Sequence, residues 1–216
     1  MQTDLDVGSL PPSLPERARV PREFGYAKTQ VLRPLHDVNQ RCIELLVKAA
    51  CTDGSDLPLV RQFGSILRRL TADAQERAAL KAFLLVDMEF ANSSWWQLIK
   101  NQPARPLPPP QTCYFSRAHA VQLARATLTL TWHSVRANGS EACLLGVHPV
   151  VAELIGTFSL TEIERIVERQ YRHVRPRWED RPSVWQQLLE SACSPDIRLM
   201  REFSLRGLQL IAGELI

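Results

Sequence analysis

Six arginines and one histidine crowd a short stretch of this chain: Arg165, Arg169, Arg172, His173, Arg175, Arg177 and Arg181. A guanidinium is a planar fork that engages two phosphate or carboxylate oxygens at once. An arginine-dense hinge between helices therefore suits contact with a nucleic-acid backbone or docking of a partner protein. Arg172, Arg175, Arg177 and Arg181 are the candidates for that role. Glu164, Glu168, Glu179 and Asp180 interleave with the arginines, so part of the stretch also reads as a solvated helix face with ion pairs of about 0.3 kcal/mol each. Four tryptophans lie beside helix starts: Trp178 and Trp185 at the hinge, and Trp95 and Trp96 earlier. They are candidates for fixing the hinge or forming an interface, as large side chains with one polar atom do.

No glycine-rich phosphate loop, G-x-S-x-G elbow or H-E-x-x-H motif is present in the sequence, so no enzymatic activity is expected. Asp87 with Glu89, and Glu179 with Asp180, are paired carboxylates in hinge-like segments. They read as caps or salt-bridge partners, because acid–base work needs an enclosing cleft to separate two pKa values. The five cysteines are scattered without a C-x-x-C pair, and zinc needs convergent ligands; no cofactor and no metal site are expected. A net charge of +3 is too mild to indicate nucleic acid by itself. No apolar run approaches the roughly 20 residues of a membrane span, and the opening MQTDLDVGSLPP is unlike a signal peptide. A cytoplasmic protein without membrane contact is expected.

The elements that position the hinge read almost entirely as helix. Apolar residues recur at three- and four-residue intervals over 32–51, 57–70, 71–86, 94–101, 117–136, 149–157, 160–173, 184–192 and 196–212, which is helical periodicity. Alternation of Thr and Leu in 126–132 also fits a strand, but its flanks continue the helical spacing. Ser159-Leu160-Thr161-Glu162 is a capping box, and Ser94 to Gln97 and Ser183 to Gln186 read as two more, each containing a tryptophan. Gly146-Val147-His148-Pro149 ends one helix and begins another, and Ser194-Pro195-Asp196 opens the last. PARPLPPPQ, residues 103–111, is a stiff spacer. Residues 1–30, with Pro11, Pro12, Pro15 and Pro21 and the basic Arg17, Arg19, Arg22 and Lys28, read as an extended arm.

The run Leu145-Gly146-Val147, Leu154-Ile155, Leu160-Thr161-Glu162-Ile163 and Arg177-Trp178-Glu179-Asp180 resembles the FlhD family, the zinc-free subunit of the bacterial flagellar master activator. Ala126 to Trp132 is similar to the long first helix of that family, and the resemblance spans residues 116–213. A degenerate echo lies earlier: His36-Asp37-Val38 beside His119-Ala120-Val121, Phe63-Gly64 beside Leu145-Gly146, Ile66-Leu67 beside Leu154-Ile155, Thr71 beside Ser159, and Trp96 beside Trp185. Asp87 to Phe90 stands where Arg175 to Trp178 stands in the second copy. The first copy reads as lacking the short helix that begins at Pro149. Such self-similarity implies one unit used twice.

The expected fold is therefore all-α, with two FlhD-like helical units in tandem as a fused pseudo-dimer. The boundaries are an arm at 1–30, a first unit at 31–102, a proline-rich linker at 103–112 and a second unit at 113–216. The resemblance implies a transcriptional regulator, one subunit of a heteromeric DNA-binding activator. Its partners would be an FlhC-like zinc-binding subunit, promoter DNA reached mainly through the complex, and RNA polymerase. The competing expectation is a helical adaptor or chaperone that binds proteins and never touches DNA.

Overall fold

In the computed structural model the described residues are 23–52, 56–102, 107–108, 110, 112–137 and 139–215, with side chains from residue 32 onward apart from 139–141. Among them are ten helices and one two-stranded ribbon: α1 (Glu23–Ala50), α2 (Pro58–Leu67), α3 (Ala72–Ala79), β1 (Val86–Asp87), α4 (Ser93–Asn101), α5 (Arg117–Ala137), α6 (Gly139–Leu144), α7 (Pro149–Thr157), α8 (Leu160–Gln170), β2 (Arg175–Pro176), α9 (Pro182–Cys193) and α10 (Ile197–Glu214). The fold is mostly helical, as expected, and 126–132 lies inside α5 rather than in a strand. No helix among the described residues is long and apolar enough to cross a membrane.

Local chemistry sets most helix ends. Ser159 and Glu162 form the expected capping box. Pro149 sits in the first turn of α7 behind His148, whose ring accepts from the Val150 N–H. Thr71 caps α3, and Asp196 caps α10. The two tryptophan-containing boxes are corrected: Asn92, not Ser94, caps α4 through the Trp95 N–H at 3.0 Å, and α9 starts at Pro182 without a side-chain cap. Residues 23–30, expected in the arm, are helical, since Phe24, Ala27, Val31, Leu35 and Val38 extend the apolar spacing of α1 backwards. The rest of the arm lies outside the described residues, as do Pro103 to Pro106 of the spacer.

Neither helix preceding a strand reaches its expected end. α3 stops at Ala79 rather than at Val86, and α8 stops at Gln170, passing into one 3-10 turn over Tyr171–His173. Asn39, fully buried in α1, explains the first. Its amide donates to the carbonyls of Ala79 at 3.2 Å and Phe83 at 2.9 Å, and accepts the Leu85 N–H at 2.7 Å. One side chain thereby satisfies three backbone groups that a continuing helix would have paired. The freed segment carries Phe83, Leu84, Leu85 and Val86 into the core and ends in β1.

The two halves of the chain repeat one local arrangement. Each runs long helix, short helix opened by a proline (Pro58, Pro149), Ser- or Thr-capped helix, short strand, and a helix holding a buried tryptophan. The short helix expected to be missing from the first half is therefore present as α2; α6, α10 and the 3-10 turn after α8 are without a counterpart among the described residues. β1 pairs antiparallel with β2, Val86 opposite Pro176 and Asp87 opposite Arg175. Crossing in this register relates the strands by a local pseudo-twofold axis. Around it α4 and α9 are exchanged, α9 packing on α2 and α3 and α4 on α7, while the long helices α1 and α5 pack on each other. One continuous apolar core runs through both halves.

α10 closes the first half. Gly207 lies so near the Phe83 ring that a Cβ there would stand 2.1 Å from Cζ. Lys81, only 1% exposed, donates to the Arg77 carbonyl at 3.0 Å and points to Met200 Sδ at 3.6 Å, with Phe203 beneath it. Burial lowers its pKa to about 8. The unfolded chain thus binds more protons than the folded one between about pH 8 and 10.5, and this group's contribution to stability rises with pH across that window. Lys81→Met removes that slope. The stability advantage of the variant over the native chain, measured by urea denaturation, should shrink by on the order of 3 kcal/mol between pH 7 and 10.5; a constant difference would exclude the buried lysine as the cause.

Candidate functional site

At the strand crossing, Asp87 turns its own backbone. Its carboxylate accepts the N–H groups of Glu89 at 3.3 Å and Phe90 at 3.1 Å. The same carboxylate accepts both Nε and Nη2 of Arg175, at 3.1 Å each. Arg175 also meets Glu89 at 3.2 Å and Glu179 at 3.6 Å. Burial works against the Arg175 charge, but Asp87 and Glu89 outweigh it and hold its pKa above the ordinary arginine value. Glu179, half-buried and hydrogen-bonded to Tyr114, is shifted upward mainly by desolvation.

Arg177 is 3% exposed. Its Nη2 donates to the Gly146 carbonyl at 3.0 Å, its backbone N–H donates to Leu85 at 2.8 Å, and Asp87 stands 3.9 Å away. Nε and Nη1 have no hydrogen-bond partner among the described residues. Desolvation depresses its pKa, opposed by Asp87 and Glu214. Gly146, at φ +66°, lets this guanidinium lie flat against its backbone, where a Cβ would stand 1.8 Å from Nη1. Trp178 adopts φ +57°, donates its indole N–H to Glu214 at the end of α10, and sets its ring edge-on to Phe83 at 5.6 Å. Glu89 has the same φ of +57°. A left-handed non-glycine residue costs about 1–2 kcal/mol, so both turns need support from their surroundings.

Two tryptophans supply it. Trp96 donates its indole N–H to the Glu89 carbonyl at 3.0 Å, and Trp185 donates to the Arg177 carbonyl at 2.8 Å. Each locks the turn that follows a strand. Trp95 packs on Trp96 and on His173, at centroid distances of 5.1 and 4.9 Å. Burial holds the His173 pKa below the usual histidine value, with the Glu89 charge opposing. All four tryptophans are buried inside this one chain; they fix the hinge and do not form an exposed platform.

The four candidate arginines are therefore divided. Arg175, with its side chain 32% exposed, is occupied by Asp87, Glu89 and Glu179, and Arg177 is buried with its Nη2 on the Gly146 carbonyl, so neither offers an unengaged, solvent-facing fork to a phosphate. Arg172 is exposed beside the Tyr171 hydroxyl at 3.3 Å, and Arg181 is exposed ahead of α9. A cleft of about 390 Å³ beside Arg181 is lined by Asp87, Glu179, Asp180 and Glu214 as well as by Arg175 and Arg177; this mixed charge does not select an anion. No group of three or more His, Cys, Asp or Glu side chains among the described residues is placed to hold a metal ion. No family model, curated protein or solved structure matches the chain. What the site can do thus rests on its own geometry, which is that of an ion-paired joint. Asn39 and Glu214 are the joint residues that sequence reasoning passed over: both act across long sequence distances and leave no local pattern.

Gly146→Ala should lower stability by about 3 kcal/mol in urea denaturation, combining a left-handed alanine with a displaced Arg177. Gly213→Ala, where a Cβ would meet nothing within 4 Å, should be neutral or stabilising by up to about 1 kcal/mol. Equal effects at the two positions would refute the contact assigned to Arg177.

Proposed function

We propose that this chain is a protein-binding scaffold, and that the assembly it serves is an FlhD-like heteromeric regulator. In that assembly an FlhC-like, zinc-binding subunit would supply most of the DNA contact. The observation that carries the reading is the pseudo-twofold crossing of β1 and β2 with exchange of α4 and α9. Two similar halves joined about a local twofold support a fused pseudo-dimer, in line with a family whose members pair with themselves. The engagement of Arg175 and Arg177 within the joint supports a scaffolding role over direct grip on DNA. It equally favours the second reading, an adaptor that binds proteins and never touches DNA.

The tagged full-length chain, recovered from its native host, separates the two. The regulator reading expects a cysteine-rich partner loaded with zinc, and salt-dependent DNA binding by the complex that the chain alone lacks. A zinc-free client and no DNA affinity would replace it with the adaptor reading. Within a DNA-binding complex, Arg172→Ala with Arg181→Ala should weaken affinity for all sequences and reduce the salt slope by about one unit for each phosphate no longer neutralised. An unchanged slope would remove these arginines from the DNA interface.

A further inference from the structure

We infer that the groove between α1 and α5 is an interface between two copies of this chain, which meet antiparallel through α1 about a twofold axis level with Leu32. The inference does not depend on which partner the scaffold serves.

The groove has a volume of about 930 Å³ and a mostly apolar lining, room for a row of side chains from one helix. Val38 and Leu130 form its floor, at 4% and 6% exposure. Ala126 and Ala137 of α5, both exposed and small, leave it open above them. Pro34, Asp37 and Arg41, all exposed, are its α1 wall. Those three positions belong to one stripe of α1, and the stripe continues back through Gln30, Ala27 and Glu23 to the start of the helix. Its spacing alternates between four and three residues throughout, which is the seam by which one long helix packs on another.

The seam is complementary to itself in one orientation. Paired antiparallel, Glu23 stands level with Arg41 of the second copy, Ala27 with its Asp37 and Gln30 with its Pro34. All three pairs share one register, and each occurs twice about the axis, as an isologous interface requires. Lys28, next to Ala27 in the chain, brings a positive charge to the level of that Asp37, which makes no hydrogen bond or ion pair among the described residues. Arg41 donates to Gln122 at 3.1 Å and stands 3.8 Å from Glu44. Both contacts are exposed and weak, and they leave donors of the guanidinium over. A parallel pairing would set Glu23 against Glu23 and Arg41 against Arg41, which like charges oppose. A foreign helix would have to reproduce this order of charges and small residues; α1 of a second copy already carries it.

Sedimentation equilibrium of the full-length chain should give the mass of two chains at micromolar concentration. Arg41→Glu alone and Glu23→Arg alone should each weaken the dimer about tenfold, and the two together in one chain should restore it, because both members of the pair are then reversed. Arg61→Glu, a matched charge change at an exposed position of α2, should leave it unchanged. Ala126→Glu, at an exposed position inside the groove, should dissociate the dimer while the far-UV circular dichroism of the chain is retained. A monomer at every concentration, equal weakening by Arg61→Glu and Arg41→Glu, or no recovery in the double reversal overturns the interface. So does a monomer that carries a different host protein released by Ala126→Glu, which would give the groove to that partner.

Discussion

The pairing of Asp87 with Arg175 is the interaction on which the rest of this structure hangs. It joins the two strands at their crossing, and each partner has a second task. Asp87 turns the backbone into α4 by accepting two N–H groups, while Arg175 gathers Glu89 and Glu179 around itself. With the Arg175 side chain 32% exposed, the ion pair gains little by itself, because desolvation and solvent screening both oppose the Coulombic attraction. Its value is directional. It permits one register of a ribbon only two residues long on each side, too short to specify its own pairing.

Everything packed around the crossing maintains that register. Trp96 and Trp185 hold the two left-handed turns from outside, Arg177 fills the space over Gly146, and Glu214 brings the end of α10 to Trp178. The turns are strained and the cations are desolvated, yet each is tied by at least one bond to an element distant in sequence. A hinge rich in arginine is in this molecule a rigid joint. The same residue type that suits phosphate contact also suits a buried fork between carboxylates, and composition does not tell the two uses apart.

What was legible in the sequence is what is decided locally. The Ser159–Glu162 box, the Pro149 start of α7 and the Asp196 start of α10 depend on neighbours within one turn, and each was readable from residue types. The ends of α3 and α8 were not, because Phe83 to Val86 and Tyr171 to Val174 are compatible with helix until a distant group intervenes. For α3 that group is Asn39. The placement of the arginines divided in the same way: exposure of Arg172 and Arg181 follows from their local positions, whereas burial of Arg177 depends on a glycine in another helix junction.

Because α4 packs on α7 and α9 packs on α2 and α3, neither half can complete its core from its own residues. α2 and α3 wait for α9, which is made more than a hundred positions later, at residues 182–193 against 58–79. During synthesis the first half must therefore leave the ribosome with an apolar face uncovered. Its folding is set by late, long-range closure, the slow and aggregation-exposed regime of high contact order. The duplicated arrangement that makes the finished protein self-contained also makes its nascent form dependent on the tail.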